Sequence, residues 1–399
     1  MIPYTRLKAR IERDKARKES RRADLRAKHD DLEKVFTYRH YVRETRKCRK
    51  GVSFKLSVQN YYAKPFQAME ADCESIRQGA VPAVSSSKKV IIRERGKERL
   101  ITPINIRDRI NQRVLCDYAL TPMIGKRLVY DNGASMKGKG VSFARKRFNV
   151  MLERAKRCWG EEFYALTYDF RHFFDSIPHR LCLEELDRTF RDKRIVSVAM
   201  QVIEGYQMRD ALAAGDTAKA ELLRNHLGRG VCLGSHVSQL MALCVPNFLD
   251  HYLKDTLGVR HAIRYMDDGV ILHNDKAFLA DLLHKMQKIC AAHGLELNME
   301  KTHITPIRKG VTFLKIRYSV KDGKTVKRLH RSSVVRMRRK LHRFVGLVSR
   351  GKMTPKMVRD SFQSWQGHTL HAMAFRQRKN MRACYFRLFG SPIERRCAA

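Results

Sequence analysis

The stretch Ile263–Leu272, IRYMDDGVIL, places two adjacent aspartates, Asp267 and Asp268, inside an otherwise apolar run. The apolar residues on both sides are typical of short strands, and Asp-Asp-Gly between them predicts a hairpin turn in which Gly269 relieves the backbone. Two carboxylates at the tip of a tight turn repel each other, which favours protonation of one unless a cation is bound. The stretch therefore predicts either a magnesium site or a solvated turn, since turns are rich in Asp and Gly.

A third carboxylate follows another apolar run, in LTYDFRHFFDSI (residues 166–177). Asp169 lies at the end of the predicted strand, so a neighbouring strand could bring it to the aspartate pair. Three carboxylates on adjacent strands are suited to two metal ions about 3.5–4 Å apart, which stabilise the attacking and leaving oxygens in phosphoryl transfer. Asp175 is a weaker candidate, because it could instead cap the segment that follows it.

The chain of 399 residues has a formal net charge of +42 and a hydrophobic content of 43%. That content is sufficient for a folded core, and charge repulsion on this scale favours an anionic partner, for which nucleic acid is the first choice. A membrane surface is the alternative, but the sequence has no apolar run of about 18 residues and no signal-peptide layout. The ten cysteines form no C-x-x-C pair, which disfavours structural zinc and favours a cytoplasmic location.

The motifs occur in the order found in reverse transcriptases, and the chain resembles that family. RYMDD resembles the family's aspartate-pair motif, and DFRHFFDSI its first aspartate motif. GVCLGSHVSQ resembles the turn and helix that contact nucleotide and template, GLELNMEKT the lysine motif, and the strand VTFLKIRYSV (residues 311–320) the primer grip. The basic hairpin VIIRERGKERLITPI (residues 90–104) resembles the fingers that hold the triphosphate.

The resemblance implies an α+β fold shaped like a right hand, with fingers, a palm carrying an antiparallel sheet, and a helical thumb. It predicts three parts: a basic helical N-terminal extension (1–60), fingers and palm (61–330), and a basic helical thumb (331–399). The extension is expected either to contact nucleic acid or to act only as a solvated charged helix.

The resemblance also implies the site residues. Asp169, Asp267 and Asp268 would be catalytic and would bind two Mg²⁺ ions, for which Mn²⁺ is a substitute. The implied nucleotide-binding residues are Arg93, Arg95, Lys97, Arg99, Phe170, Phe174, Leu233, Gly234, Gln239 and Lys301. The implied primer grip consists of Phe313, Leu314 and Lys315. Phe174 would exclude a 2′-hydroxyl and so select deoxynucleotides, unless it is only a core aromatic beside Phe170 and Phe173.

The implied activity is RNA-directed DNA synthesis from dNTPs, with an RNA template and a DNA product. Gln239, where many reverse transcriptases have proline, resembles the enzymes of diversity-generating retroelements and of bacterial antiphage defence. Cys232 and Lys315 depart from the family's usual proline and glycine, and the retron signature is missing, so retroelement and defence roles both stay open. The spread of positive charge favours a stably bound noncoding RNA; an accessory protein or a homo-oligomer is a further expected partner. The alternative is a non-catalytic RNA-binding scaffold.

Overall fold

The computed structural model describes residues 4–82, 90–94 and 97–390, and the chain begins with five helices. Short polar side chains start two of them: the Asp31 carboxylate accepts hydrogen bonds from the backbone N–H groups of Glu33 and Lys34, and the Thr37 hydroxyl accepts one from His40. Such caps satisfy backbone donors that a helix leaves unpaired at its first turn. The helices are α1 (Tyr4–His29), α2 (Leu32–Val35), α3 (Tyr38–Arg49), α4 (Leu56–Ala63) and α5 (Pro65–Arg77).

The predicted basic hairpin is confirmed as a two-stranded antiparallel sheet. Strand β1 (Val90–Glu94) pairs with β2 (Lys97–Ile101), and Val90 lies opposite Ile101. The chain then enters α6 (Ile106–Leu115), a π-helical turn (Cys116–Leu120) and α7 (Thr121–Ile124).

The central sheet has four antiparallel strands in the order β4-β5-β3-β6. Its strands are β3 (Tyr164–Tyr168), β4 (Ala262–Tyr265), β5 (Asp268–His273) and β6 (His303–Pro306). The helices around it are α8 (Val141–Trp159), α9 (Phe173–Ser176), α10 (His179–Thr189), α11 (Lys193–Ala213), α12 (Thr217–Arg224), α13 (His236–Cys244), α14 (Asn247–His251), continued by a π turn (Tyr252–Thr256), and α15 (Lys276–Ala292).

Side chains alternate between the two faces of this sheet, as expected for strands covered on both sides. Leu166 and Ile271 face the larger core, which includes the apolar residues of α15. Ala165 and Leu272 face a second core formed with α8 and with the strands that follow β6. The sheet is therefore buried on both faces, which explains its nearly continuous apolar sequence.

The predicted single strand VTFLKIRYSV is wrong, because the structure divides it into a hairpin. Strand β7 (Val311–Phe313) turns at Leu314 and Lys315, whose φ angles are 46° and 70°, into β8 (Ile316–Lys321). Two successive residues at positive φ give a tight hairpin turn whose twist matches that of the strands. Strand β9 (Lys324–Leu329) completes a three-stranded sheet.

The C-terminal part is helical, as predicted, and has a core of its own. Helices α16 (Arg331–Ser349), α17 (Pro355–Thr369) and α18 (Phe375–Phe389) pack around Leu341, Phe344 and Phe362. The N-terminal helices behave differently, since Leu32, Phe36 and Tyr41 belong to the larger core of the central part. The Tyr41 hydroxyl donates to Asn111 Oδ1 at 2.9 Å and so joins α3 to α6.

The structure confirms the α+β class, and among its described helices none is both long and apolar enough to cross a membrane.

A buried ion pair holds the β4–β5 hairpin against the helices behind it. Arg264, 1% exposed, donates to both carboxylate oxygens of Asp250 and to the backbone carbonyls of Met266 and Leu243. Because one guanidinium satisfies Asp250 and two carbonyls at once, its charge is fully compensated in the interior.

We expect Arg264→Met to lower the free energy of unfolding by about 3–5 kcal/mol, because the substitution leaves the Asp250 carboxylate buried without its partner. Urea unfolding followed by circular dichroism measures this change. Arg224→Met, at an exposed position of α12, is the matched control and should change stability by less than about 1 kcal/mol. Equal losses in the two variants would contradict a supporting role for the ion pair.

Candidate active site

A cleft of about 720 Å³ opens where β3 ends and the β4–β5 hairpin turns. Arg99 reaches it from the basic hairpin, and the segment before β6 forms the opposite wall. The residues that line the cleft are Arg99, Asp169, Phe170, Arg171, His172, Phe173, Phe174, Asp175, Leu233, Met266, Asp267, Glu296, Leu297, Asn298, Met299, Glu300 and Lys301.

The structure corrects the position of the predicted turn. Tyr265 pairs with Asp268, so the turn consists of Met266 and Asp267, and Asp268 is the first residue of β5. Met266 has a φ of 57°, a conformation that is costly for a residue with a side chain and is often found at functional sites. The shift of one position places Asp267 in the turn and Asp268 beside it on the strand.

Gly269 does not relieve the turn, as the sequence suggested, but makes room for an aromatic ring. It lies within β5 opposite Tyr168, and a Cβ atom built on it would overlap the Tyr168 ring. Tyr168 immediately precedes Asp169 and is buried. A glycine at this point therefore allows β3 and β5 to carry their aspartates side by side.

The three aspartates lie close enough for Asp169 to affect the ionisation of Asp267 and Asp268. Burial is the largest of the effects that raise the pKa of Asp268 to about 7. The charge of Asp267 follows, and Asp169 adds both a hydrogen bond and its own charge. The carboxyl group is affected in this way although the residue as a whole is exposed. Burial, and to a lesser extent Asp169, raises the pKa of Asp267 above its usual value. The protein thus gathers negative charge where its own environment disfavours it.

Lys301 contacts this group of carboxylates, because its ammonium group pairs with Asp169 Oδ2. The backbone determines this placement: the Asn298 N–H donates to the Asp169 carbonyl at 2.7 Å, and the Lys301 N–H donates to the Asn298 carbonyl at 3.1 Å. The segment GLELNMEKT is therefore joined directly to the end of β3.

The chemistry of this donor set fits a divalent cation. Carboxylate oxygens are the ligands that Mg²⁺ prefers. The protein by itself disfavours the ionised form of Asp267 and Asp268, so a bound cation would stabilise their negative charge. Within residues 4–82, 90–94 and 97–390, no three His, Cys, Asp or Glu side chains converge closely enough to hold one ion as they stand. Lys301 pairs with Asp169 in this arrangement and so neutralises part of the same charge.

The basic hairpin brings one of its predicted nucleotide-binding residues to the cleft. Arg99 lines the cleft and favours the charged form of Asp267. Arg93 lies opposite Glu98 and forms an exposed ion pair with it, at 2.7 Å. Successive residues of a strand point to opposite faces, so Arg93 is on the face away from Arg99. Lys97 begins β2, but its side chain and all of Arg95 are outside the described residues.

Two of three neighbouring phenylalanines are buried, and the third is partly accessible. Phe170 and Phe173 stack with ring centroids 5.2 Å apart and are 2% and 4% exposed. Phe174 is half-buried on the cleft wall, and its carbonyl accepts the Val231 N–H at 2.8 Å. Phe174 is therefore the member of the group with the most surface available to a ligand.

The predicted nucleotide turn lies partly in the cleft. Leu233 lines it, and Gly234 has a φ of 117° that favours glycine, with the Thr102 carbonyl close to where a Cβ would be. Gln239, on α13, is outside the cleft lining, and its amide donates to the Ser135 hydroxyl at 2.9 Å. Gln239 thus joins α13 to the loop before α8.

The predicted primer-grip residues have very different exposures. Phe313 is buried against Phe148, with centroids 5.1 Å apart. Leu314 and Lys315 form the β7–β8 turn, and Arg145 donates to the Leu314 carbonyl. Lys315 is exposed and lines a second cleft, of about 600 Å³, with Arg336, Lys340 and other residues of α16 and α17.

Comparison with known families decides which class this cleft belongs to. The family described as reverse transcriptase (RNA-dependent DNA polymerase) matches residues 87–318, which is more than half of the chain. The chain belongs to the reverse transcriptase family. This match assigns the RNA-directed DNA polymerase class of nucleotidyltransferase and the right-hand polymerase fold.

Two telomerases are among the similar solved structures of this fold. The truncated apo telomerase of Candida tropicalis is 12% identical, with a TM-score of 0.45, and the match covers 62% of this chain and 56% of that one. The Candida albicans telomerase, in complex with a fragment of telomeric RNA, is 12% identical, with a TM-score of 0.45 and coverages of 76% and 61%. The reverse transcriptase thus spans less than two thirds of either telomerase chain. No curated protein sequence matches it.

Sequence reasoning missed several residues that shape the cleft of this reverse transcriptase. Arg171 pairs with Glu296 at 3.0 Å across the cleft wall, and Asn298 connects Lys301 to the end of β3. Arg264 supports the aspartate turn from behind. The signal for Arg264 was a charged residue inside the apolar run IRYMDD, where a strand in a buried sheet tolerates a charge only if it is paired.

We expect Gly269→Ala to reduce the rate of primer extension by about 100-fold. The new methyl group would displace the Tyr168 ring and, with it, the neighbouring Asp169. A displacement of about 1 Å at a reactive group has an effect of this size. Gly269→Ala combined with Tyr168→Leu removes the overlapping ring atoms and should recover part of the rate. Steady-state extension assays on the single and double variants test this, and a double variant no faster than Gly269→Ala would contradict the steric explanation.

Proposed function

We propose that the chain synthesises DNA on an RNA template at the cleft formed by Asp169, Asp267 and Asp268. The observation that carries this proposal is that Asp169 and Asp267 line one cleft together with two cationic side chains, Lys301 and Arg99, while Asp268 lies beside Asp267 at the start of β5. A growing primer and an incoming triphosphate together bring several negative charges to such a site, and only a site with bound cations and cationic side chains can hold them.

Each group has a role in this proposal. Asp169, Asp267 and Asp268 would hold two Mg²⁺ ions, which when bound supply Lewis-acid activation of the primer 3′-hydroxyl and charge neutralisation of the triphosphate. Lys301 and Arg99 bind triphosphate oxygens, and Lys301 changes partners from Asp169 to the substrate. Leu233 and Gly234 form the nearby wall against which the nucleotide lies.

The template–primer duplex is proposed to run from this cleft across the second cleft, beside the β7–β8 turn. Lys315, Arg336 and Lys340 line that path and would contact phosphates, which give affinity without sequence preference. The proposal keeps the three-part division into extension (1–60), fingers and palm (61–330), and thumb (331–399). The thumb core built by α16, α17 and α18 supports its description as a separate unit.

The template is proposed to be a structured noncoding RNA that stays bound, in a bacterial antiphage-defence or diversity-generating system. The support is the charge of +42, which is more than a cleft for a short duplex requires. An accessory protein or a second copy of the chain is proposed as a further partner. The alternative, a non-catalytic RNA-binding scaffold, predicts a broken aspartate triad, whereas all three aspartates are present.

We expect Asp267→Asn with Asp268→Asn to lower primer extension at least about 1,000-fold, because the amides cannot provide the negative ligands that the reaction requires. The assay uses an RNA template, a DNA primer, dNTPs and Mg²⁺, with EDTA as a second control. Asp281→Asn with Asp255→Asn, at exposed positions outside the cleft, is the matched control and should retain synthesis. Binding of the RNA–DNA duplex without any synthesis by the unaltered chain would favour the scaffold instead.

We expect Phe174→Val to raise the ratio of ribonucleotide to deoxynucleotide incorporation by about 10- to 100-fold, because a smaller side chain leaves room for a 2′-hydroxyl. Competition assays with matched dNTP and rNTP measure the ratio. Phe66→Val changes an exposed phenylalanine of α5 outside the cleft and should leave the ratio unchanged. If Phe174→Val also leaves it unchanged, Phe174 is a wall residue without a role in sugar selection.

A further inference from the structure

A stripe of positive charge follows the outer face of α8, away from both clefts. A pocket of about 490 Å³ lies along it, lined by Arg147, Arg154, Arg157 and Arg260 together with Cys158 and His261. On the opposite face of the same helix, Arg145 contacts the Leu314 carbonyl of the β7–β8 turn. Arg154 is nine residues from Arg145, or two and a half helical turns, and therefore points in the opposite direction.

The stripe lies at the end of the palm sheet that is remote from catalysis. His261 immediately precedes β4, whereas Asp267 follows it. The four residues of that strand span about 13 Å. The pocket on the stripe shares no lining residue with the cleft where nucleotides are joined, so contacts with the stripe do not use the residues of the cleft.

The charge of the stripe is poorly compensated by the protein. Arg147 pairs with Asp131, whose other oxygen is already within 2.9 Å of Lys254. Arg154 and Arg260 are exposed, and across the described parts of the chain neither has a carboxylate partner. The positive charge of the stripe also acts on His261. Burial lowers the pKa of His261, and the charges of Lys254, Arg154 and Arg260 lower it further.

An exposed aromatic residue extends the stripe at the start of α8. Tyr130 is 64% exposed and meets Phe143 edge to face, with ring centroids 5.7 Å apart. The Lys139 ammonium and the Arg147 guanidinium lie 5.4 and 5.2 Å from the Tyr130 ring centroid. Aromatic rings among cations are the combination on which unpaired bases stack while neighbouring phosphates are neutralised.

We propose that Tyr130, Arg147, Arg154, Arg157 and Arg260, here called the α8 stripe, form a docking surface for structured RNA outside the catalytic cleft. The inference rests on the proposed function, in which the chain copies an RNA that stays bound. The copied part of that RNA moves through the cleft, so the RNA can be retained only by contacts elsewhere on the protein. The stripe supplies such contacts at a fixed distance from the aspartates. An anionic membrane fits less well, because the stripe lacks the broad apolar face of a membrane-surface helix.

The test uses the full chain with its cleft blocked by a chain-terminated RNA–DNA primer–template and the next dNTP. The probe is a fluorescent hairpin RNA with an unpaired 3′ extension, titrated over a range of salt concentrations. We expect Arg154→Ala with Arg260→Ala to lower its affinity about tenfold and to reduce the slope of log affinity against log salt by about 2, one for each lost phosphate contact. The matched control is Lys276→Ala with Lys288→Ala, two exposed positions of α15, and should leave the slope unchanged.

A footprint on the unaltered chain locates the RNA without any substitution. Cys158 lines the pocket and is the exposed cysteine among those described. We expect hairpin RNA to slow the reaction of Cys158 with a maleimide at least about fivefold. An unchanged Cys158 rate, equal salt slopes for the two double variants, or stripe-dependent binding to phosphatidylserine vesicles without binding to RNA would each overturn the proposal.

Primer extension on a short added template separates this proposal from the proposed function. Both double variants should extend the primer as the unaltered chain does, because neither pair of residues touches the cleft. If no form of the chain extends a primer, the proposed function fails, while the Cys158 footprint still decides whether RNA binds the α8 stripe.

Discussion

The buried guanidinium of Arg264 is the interaction on which the active-site geometry depends. It pairs with Asp250 and holds the Met266 carbonyl, so a charge inside the palm determines where the turn before the aspartates lies. The Met266 backbone is in a costly conformation, and such strain persists only where the surroundings impose it. A removable contact at the surface could not impose it, whereas a charge that must remain paired in the interior can.

The same constraint explains why the aspartates can remain so close together. Burial, and then the charges of Asp267 and Asp169, raise the pKa of Asp268 to about 7, so the isolated site disfavours the ionised form of this carboxyl group. The palm tolerates this because the three carboxylates project from a sheet buried on both faces and from a turn that Arg264 holds. The clustered carboxylates and the strained Met266 backbone both cost stability, and they lie where cations and phosphates are expected to bind. Such local costs are usual at functional sites.

Apolar runs and turn signals predicted the strands around the aspartates and the basic hairpin, and the motif order indicated the reverse transcriptase family, which the family match confirms. The errors have physical causes. Neither Met266 nor the pair Leu314–Lys315 carries a turn signal such as Gly or Asn, so one turn was misplaced by a residue and the other was missed. The faces of Arg93 and Arg99 depend on strand register, which cross-strand pairing determines. The roles of the individual cleft residues stay predictions.

The distribution of positive charge suggests how one polymerase can both move along RNA and retain it. Cationic side chains in the cleft must release phosphates at every step, so their contacts are necessarily transient. The α8 stripe lies on the far side of the same helix that, through Arg145, supports the β7–β8 turn. In the proposed arrangement, this helix separates a cleft through which nucleic acid moves from a surface that retains it. Because phosphate contacts act additively on affinity, each arginine of the proposed docking surface adds to the affinity that would keep the template attached between steps of synthesis.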